Sequence, residues 1–403
     1  FTYADGTPYY LMAYELDWLF ALDWQNQEDI PKSKQIINTI SSRGFNQVVM
    51  NVYAYDANWG ERDKIDPRYD YAKPTVFPFG GSNEEPNFDK LNISFFQHLD
   101  RVIAYLNEKN VVSHLMIYVW NKNVNWPEAS SAEDNRYFDY VVKRYQAYPN
   151  LVWDISKEAL GYGHNDMSYI SDRIDRLRSL DAHKRLVSVH DYQYCSNFPE
   201  KVDFISIQEW VPNLYNSMRG VVKKYPDKPI FNIEHGGYDQ TMHAIFWGAY
   251  ADPLECLWRN YECVFAGSYS TYYWQNTSWY EVVHDIEKLP TEHQPRLDWY
   301  QRLVEFMEKH HFERLEPLQS GFTTYALHDK QEQQILFLLP ENMQMIAGGI
   351  DFLQGKKVSV SWMNPFNGEL YKGQVREKSG AWMGFRKDDR VTSPFCIAIL
   401  KYE

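Results

Sequence analysis

The chain has no uncharged apolar run near the ~20 residues that a membrane-spanning helix needs. Its longest apolar stretches are strand-length, as at Ile335–Leu339. Cysteine is scarce: Cys195, Cys256, Cys263 and Cys396 are scattered through 403 residues with no CxxC pair. That argues against a zinc framework and against a disulfide scaffold. Positive charge is also short, since 41 Lys and Arg face 54 Asp and Glu, a formal −13. A nucleic-acid binder needs a basic face, and an anionic membrane surface or a polyanion is repelled by an acidic one. The chain opens at Phe1, with neither an initiating Met nor a signal peptide. The expectation is a longer precursor whose targeting information lies outside this sequence.

What is abundant is aromatic. Trp, Tyr and Phe number 14, 31 and 22, together 17 % of the chain. Aromatic rings fill cores, and they also stack on the C–H faces of sugars, so the excess leans towards carbohydrate. With 44 % hydrophobic and 24 % charged residues the chain is globular, and its length suits about two domains.

Strand-like runs alternate with helix-like segments. The strands are read at 9–14, 47–53, 112–120, 151–156, 185–190, 203–208, 229–234 and 267–274. Helices are expected near 31–43 (closed by Gly44), 93–110, 134–147, 214–224, 252–265 and 295–310. Eight such units over about 300 residues fit a (β/α)8 barrel. A doubly wound open sheet is the rival, but it carries a Gly-rich turn after its first strand. Here Glu15-Leu16-Asp17-Trp18 follows instead. The segment 54–92 reads as an elaborated loop on the barrel face that builds sites. After about residue 313 short strands with turns such as Asn367-Gly368 predict a small antiparallel β-sandwich. The expected division is a catalytic barrel over 1–312 and a sandwich over 313–403.

Reacting groups of a (β/α)8 barrel lie at the C-terminal ends of its strands. Strand four ends in Lys157-Glu158 and strand seven in Ile233-Glu234. Two opposed carboxylates are what glycoside hydrolysis requires, one as acid and one as nucleophile or base. A gap of ~5–5.5 Å implies retention, and ~6.5–9.5 Å inversion. Lys157 is expected to pair with a carboxylate and lower its pKa, which is the wrong direction for an acid at Glu158. Other strand ends supply sugar-binding types: Glu15, Trp18, Asn51, Trp120, His190, Gln208 and Trp274. Trp153, Trp247, Trp258 and Trp299, inside strands or helices, read as core. His190, His235 and Glu234 could gather a zinc ion, but HExxH and paired strand-one histidines are lacking, as is the GxSxG elbow of a Ser-His-Asp hydrolase. No metal and no organic cofactor is expected.

Five stretches resemble one family in order along the chain. Ala4-Asp5-Gly6-Thr7-Pro8-Tyr9-Tyr10-Leu11 with Glu15 and Trp18 is similar to its opening GxPF(F/W)xxGDTAW, and Arg43-Gly44-Phe45-Asn46 to its KGFNVI. Residues 149–158 resemble RPNIIWxxGGD, residues 228–234 resemble KPVLxGEPxYE, and residues 364–369 resemble the WxDPRTGE turn of a C-terminal sandwich. This is the DUF4038 group of apiosidase-like glycoside hydrolases, whose C-terminal module is labelled collagen-binding by homology. The resemblance implies a bacterial (β/α)8 enzyme acting on plant-type polysaccharide side chains. It puts the acid/base aspartate at Glu158, the nucleophile at Glu234 and the first-strand aspartate at Glu15. Lys157 stands for a family glycine, and His235-Gly236-Gly237 for PxYE, so apiose specificity is not carried over.

The sequence thus predicts a retaining, exo-acting glycosidase that removes a terminal sugar from a complex glycan, in a secreted, periplasmic or cell-surface setting. A carbohydrate-binding pseudoenzyme and a metal-dependent hydrolase remain the alternatives.

Overall fold

The computed structural model describes residues 1–57, 73–240, 249–274, 282–319 and 321–403. Eight parallel strands form one sheet: β1 Ala13–Glu15, β2 Gln47–Asn51, β3 Val112–Val119, β4 Leu151–Lys157, β5 Val187–His190, β6 Ile205–Gln208, β7 Ile230–Glu234 and β8 Tyr269–Tyr272. Their spatial order, β5-β4-β3-β2-β1-β8-β7-β6, is the chain order wrapped into a ring. Ala13 pairs with both Gln47 and Thr271, joining the first strand to the second and eighth. Asp203 and Phe204 close the ring between β5 and β6. The Asp203 N–H donates to Val187 O at 2.9 Å, its carboxylate accepts from Val187 N at 2.8 Å, and Ser188 Oγ donates to Phe204 O at 2.9 Å. The fold is a (β/α)8 barrel.

Crossover helices are α1 Pro31–Ser41, α2 Ile93–Glu108, α3 Ala132–Tyr145, α4 Met167–Leu180, α5 Tyr192–Asn197, α6 Leu214–Lys224, α7 Pro253–Ala266 and α8 Leu297–Lys309. Their ends follow local chemistry. Asn92 caps α2 by accepting from Phe95 N, Ser131 caps α3, and Asp252 caps α7 just before Pro253. Gly267 closes α7 at φ +89°. The described part of the 54–92 segment differs from the loop expected there. It contains an antiparallel hairpin of Phe79–Gly81 and Pro86–Leu91. Its Asn87, Asp89 and Lys90 are poor strand formers, which hid it.

The remaining strands are β9 Glu316–Pro317, β10 Tyr325–Asp329, β11 Gln334–Leu339, β12 Met345–Gly349, β13 Val358–Met363, β14 Leu370–Lys372, β15 Val375–Ser379, β16 Trp382–Arg386 and β17 Cys396–Tyr402. They make an antiparallel six-stranded sheet facing a three-stranded one, a β-sandwich. Strands β12 and β15 escaped the sequence pattern because one ends in Gly348-Gly349 and the other is charged. In β11 the residues Ile335, Phe337 and Leu339 pack against the small sheet, while Leu336 and Leu338 join the barrel's core cluster. Burial on both faces explains its unbroken apolar run. Phe395 lies between Trp258 and Tyr261 of α7 and Phe366, with ring centroids 5.3, 5.2 and 5.1 Å away. Among the described residues no helix is long and apolar enough to cross a membrane.

Candidate active site

Two β-bulges shape the mouth of the barrel. Asp154 pairs with Ser188 and Lys157 with His190, so β4 carries one residue more than β5 over that interval. Asp154 meets the buried His114 inside the barrel at 3.1 Å. Simple alternation from Asp154 puts Lys157 on the opposite face; the bulge returns it to the barrel interior. A second shift, at β6 and β7, pairs Ile207 with Asn232 and Gln208 with Glu234. The Asn232 amide faces the helix layer, near Met218 and Cys263, whereas Glu234 meets Lys157 at the mouth.

The centre of the site is the Lys157 ammonium, which is 1 % exposed. Its Nζ lies 3.0 Å from Glu15 Oε1, 3.2 Å from Asp17 Oδ2 and 3.1 Å from Glu234 Oε1. Burial alone lowers a lysine pKa, but these carboxylates outweigh it and hold Lys157 well above its ordinary value. A second buried cation, Lys122, sits 3.8 Å from Asp17 Oδ2. Tyr238 donates its hydroxyl to Glu234 Oε2 at 3.1 Å, and His190 Nε2 lies 3.4 Å from Oε1.

Glu158 occupies a different environment. Its backbone is left-handed, at φ +58°, and its N–H donates to His190 O at 3.1 Å. That rare conformation for a non-glycine residue marks a constrained position. Its carboxylate accepts from Asn121 Nδ2 at 2.9 Å and from Gln208 Nε2 at 2.8 Å. Reactive atoms of Glu158, His190 and Glu234 all lie within 4.8 Å of one another.

The two glutamates are pushed apart in acidity. Burial raises the Glu158 pKa, and the neighbouring Glu234 charge raises it further. The downward pull expected from Lys157 on Glu158 is therefore overridden, because the ammonium is turned towards Glu15, Asp17 and Glu234. Burial also opposes ionisation of Glu234, but Lys157, then His190 and Lys122, bring it down to about 2. Burial pushes His190 itself down to about 4. It is neutral at pH 7, so the lasting cationic partner of Glu234 is Lys157.

A pocket of about 200 Å3 opens onto these groups, lined among the described residues by Asn121, Lys122, Lys157, Glu158, Tyr162, Gln208, Trp210, Glu234 and Tyr238. Of the sites expected from sequence, Glu158, Glu234 and Gln208 line it, and His190 lies directly behind Glu234. Glu15 sits beneath as a partner of Lys157. Asn51 is buried and donates to Asp17 O at 3.2 Å, fixing the end of β1 rather than facing the pocket. Trp18 and Trp274 are fully buried and outside the described lining. Trp120 is half-buried and stacks on His164, centroids 3.6 Å apart, beside the described lining. Two apolar rings, three and two residues past the ends of β1 and β8, joined the core.

Trp153 is core, as expected, while Trp258 and Trp299 pack on Phe395 and Phe366 of the sandwich; Trp247 lies outside the described residues. Asn121, Lys122, Tyr162, Trp210 and Tyr238 are the lining residues that the sequence reading did not select as sites. Trp210, directly after β6, was the one most open to discovery.

The three residues weighed from sequence as a rival zinc site do not come together as a set. His235 is turned away, its Nδ1 accepting from Gly237 N at 3.3 Å, and Glu158 takes its place beside His190 and Glu234. Lys157 already holds the shared Glu234 oxygen at 3.1 Å. An ammonium at that point opposes a divalent ion on the same oxygen, so the donor set does not fit a resident metal.

The parallel barrel with a polar, carboxylate-bearing mouth defines the class: the protein is a glycosidase of the barrel type. The chain belongs to the apiosidase-like family, whose catalytic domain matches residues 1–312. Solved structures show the same fold. A candidate glycoside hydrolase from Bacteroides vulgatus ATCC 8482 superposes with TM-score 0.71 at 17 % identity, over 100 % of this chain and 80 % of its own. A family 5 glycoside hydrolase from the same organism gives 0.71 at 16 %, over 99 % and 92 %. A GH29 α-L-fucosidase from Bacteroides thetaiotaomicron, trapped as a covalent intermediate, gives 0.54 at 11 %, over 98 % and 94 %. A comparison with curated protein sequences finds no match.

Proposed function

We propose that the protein is a retaining, exo-acting glycosidase, with Glu158 as acid/base and Glu234 as nucleophile. The observation that carries this reading is the pair itself. One carboxylate oxygen of each lies within 4.8 Å of one of the other, so the two acids flank a single small site, as hydrolysis by two carboxylates requires. Their surroundings also drive their acidities in opposite directions. In the first step Glu158 gives its proton to the glycosidic oxygen, the bond from C1 to that oxygen breaks, and a Glu234 oxygen bonds to C1. In the second, the Glu158 carboxylate takes a proton from water, whose oxygen displaces Glu234 from C1.

A pocket of about 200 Å3 is below the ~300–1,000 Å3 of drug-sized sites, which suits one terminal sugar ring. Gln208 supplies a polar contact, and Tyr162, Trp210 and Tyr238 supply ring faces. The family match supports a side chain of a plant-type polysaccharide as substrate. A polymer of that size does not enter a cytoplasm, which supports a secreted, periplasmic or cell-surface location. The division into a catalytic barrel, 1–312, and a sandwich, 313–403, is supported by the extent of the family match and the start of β9 at Glu316.

A panel of 2-deoxy-2-fluoroglycosyl fluorides tests the assignment. A stable mass increase on the peptide containing Glu234 is the expected result; labelling elsewhere, or inversion of the released sugar, removes it. One observation favours the carbohydrate-binding pseudoenzyme: Lys157 engages the same Glu234 oxygen that faces His190. Calorimetric binding of an oligosaccharide that is never cleaved would select that reading.

A further inference from the structure

We propose that Lys157 is a positioning residue that holds Glu234 as the attacking carboxylate, and that the coupled Glu15–Asp17 pair compensates its charge once Glu234 becomes an ester. The proposal rests on the glycosidase reading above. Its basis is the geometry of one buried ammonium among three carboxylates, at 3.0, 3.2 and 3.1 Å. A lysine whose only task was to keep Glu234 ionised needs one partner. Here two further acids on the β1 side hold it as well.

The reaction explains the need for them. When the glycosidic C1–O bond breaks and Glu234 bonds to C1, Glu234 loses its negative charge. A buried ammonium with no other partner would then be left uncompensated, which is strongly unfavourable. Contacts to Glu15 and Asp17 do not involve the reacting carbon, so they persist through the covalent state. They also anchor the lysine while Glu234 moves off it. The tie works in both directions: Lys157 fixes Glu234 Oε1, Tyr238 fixes Oε2, and the carboxylate plane is set before the sugar arrives.

The groups facing Glu234 come from several elements. Lys157 and Glu158 belong to the end of β4, His190 to β5, Lys122 to the turn after β3, Tyr238 to the turn after β7, and Tyr273 to the end of β8. Glu15 and Asp17 act from β1 through Lys157 as a coupled pair, in which burial and then the Asp17 charge push the Glu15 carboxyl well above its ordinary value. Among the cations, Lys122 is farther from the shared cluster and is itself pulled down by burial. Removal of Lys157 therefore strips Glu234 of its main support.

The test is a pH titration of the carboxyl 13C resonances of the full chain, with Glu234 assigned by difference from Glu234→Gln. In the wild type Glu234 stays ionised to below pH ~3. In Lys157→Met its midpoint rises to or above the ordinary ~4.3 of glutamate, and Lys157→Arg restores the low midpoint. On the best aryl glycoside found by screening, kcat of Lys157→Met falls about 10–100-fold, the loss of one hydrogen bond to a charged group, with KM little changed. Asp17→Asn lowers kcat in the same sense while leaving Glu234 ionised, because its effect falls on the esterified state. If Lys157→Met does not fold, Lys157→Met with Asp17→Asn removes one charge of each sign and carries the same titration. An unmoved Glu234 midpoint overturns the proposal, and so does a moved midpoint with unchanged kcat. If Glu234→Gln itself still turns over, the glycosidase reading fails instead, whatever the titration shows.

Discussion

Lys157 and Glu158 are neighbours in the chain, yet their side chains serve opposite ends of the proposed reaction. The Lys157 ammonium turns inward, 3.1 Å from Glu234. The Glu158 carboxylate turns to the amides of Asn121 and Gln208. The bulge in β4 and the left-handed backbone at Glu158 separate them. One cation thereby stabilises ionised Glu234, while burial and the Glu234 charge raise the pKa of the adjacent Glu158.

Removing either carboxylate is expected to have a distinct signature. Glu158→Ala should lower kcat/KM by about 10²–10⁴-fold on substrates with poor leaving groups, the usual worth of general acid catalysis. Azide should restore turnover of an activated aryl glycoside and yield a glycosyl azide of retained configuration. Glu234→Gln should not respond to azide in that way. Chromatography of the azide product checks both; a product of inverted configuration from Glu158→Ala would contradict its role.

The pH dependence follows from the two acidities. In the proposed reaction the active form has Glu234 ionised and Glu158 protonated. Activity rises as pH climbs through the Glu234 midpoint, about 2, and falls as pH climbs through that of Glu158, which lies above the ordinary glutamate value. The kcat/KM profile should therefore show its descending limb from Glu158. Lys157→Met should move the ascending limb upward and narrow the profile. A descending limb that persists in Glu158→Gln would assign it to another group.

Gly236 connects backbone and pocket. It adopts φ +83°, and a Cβ there would lie 3.0 Å from the Trp210 indole. Gly236→Ala should cost about 1–3 kcal/mol of stability and displace Trp210 from the pocket rim. Denaturant unfolding measures the first effect; the Trp fluorescence spectrum and KM report the second. A variant of unchanged stability and KM would show that the rim can yield at no cost.

Chelation should leave activity intact. The ammonium of Lys157 occupies the oxygen a cation would share with His190, so prolonged treatment with EDTA and gel filtration should not lower kcat. Loss of activity restored by one divalent ion would return the metal-dependent reading.

Much of the barrel was legible because local chemistry and global fold agree. Apolar runs such as QVVMN and IFNIE, and Gly44 past the end of α1, each mark an element without tertiary information; Gly267, read as the start of the eighth strand, proved to be the glycine that closes α7. The same reading put Glu158 and Glu234 at the ends of β4 and β7. It overvalued Trp18 and Trp274, because a ring near a strand end serves core and pocket equally well by sequence. It also missed Tyr238 and Asn121, which lie in turns whose path no periodicity describes.

The sequence by itself determined the alternation of strands and helices, the sandwich that follows, and the two glutamates at opposed strand ends, since these depend on short-range pattern and strand order. Tertiary structure alone decided which way the residues at those ends point. A one-residue bulge reverses the face of a strand, and it is a bulge that carries Lys157 to Glu15 and Asp17, 142 and 140 positions away. No local signal encodes that meeting, because its energy arises only when the ring of strands has closed.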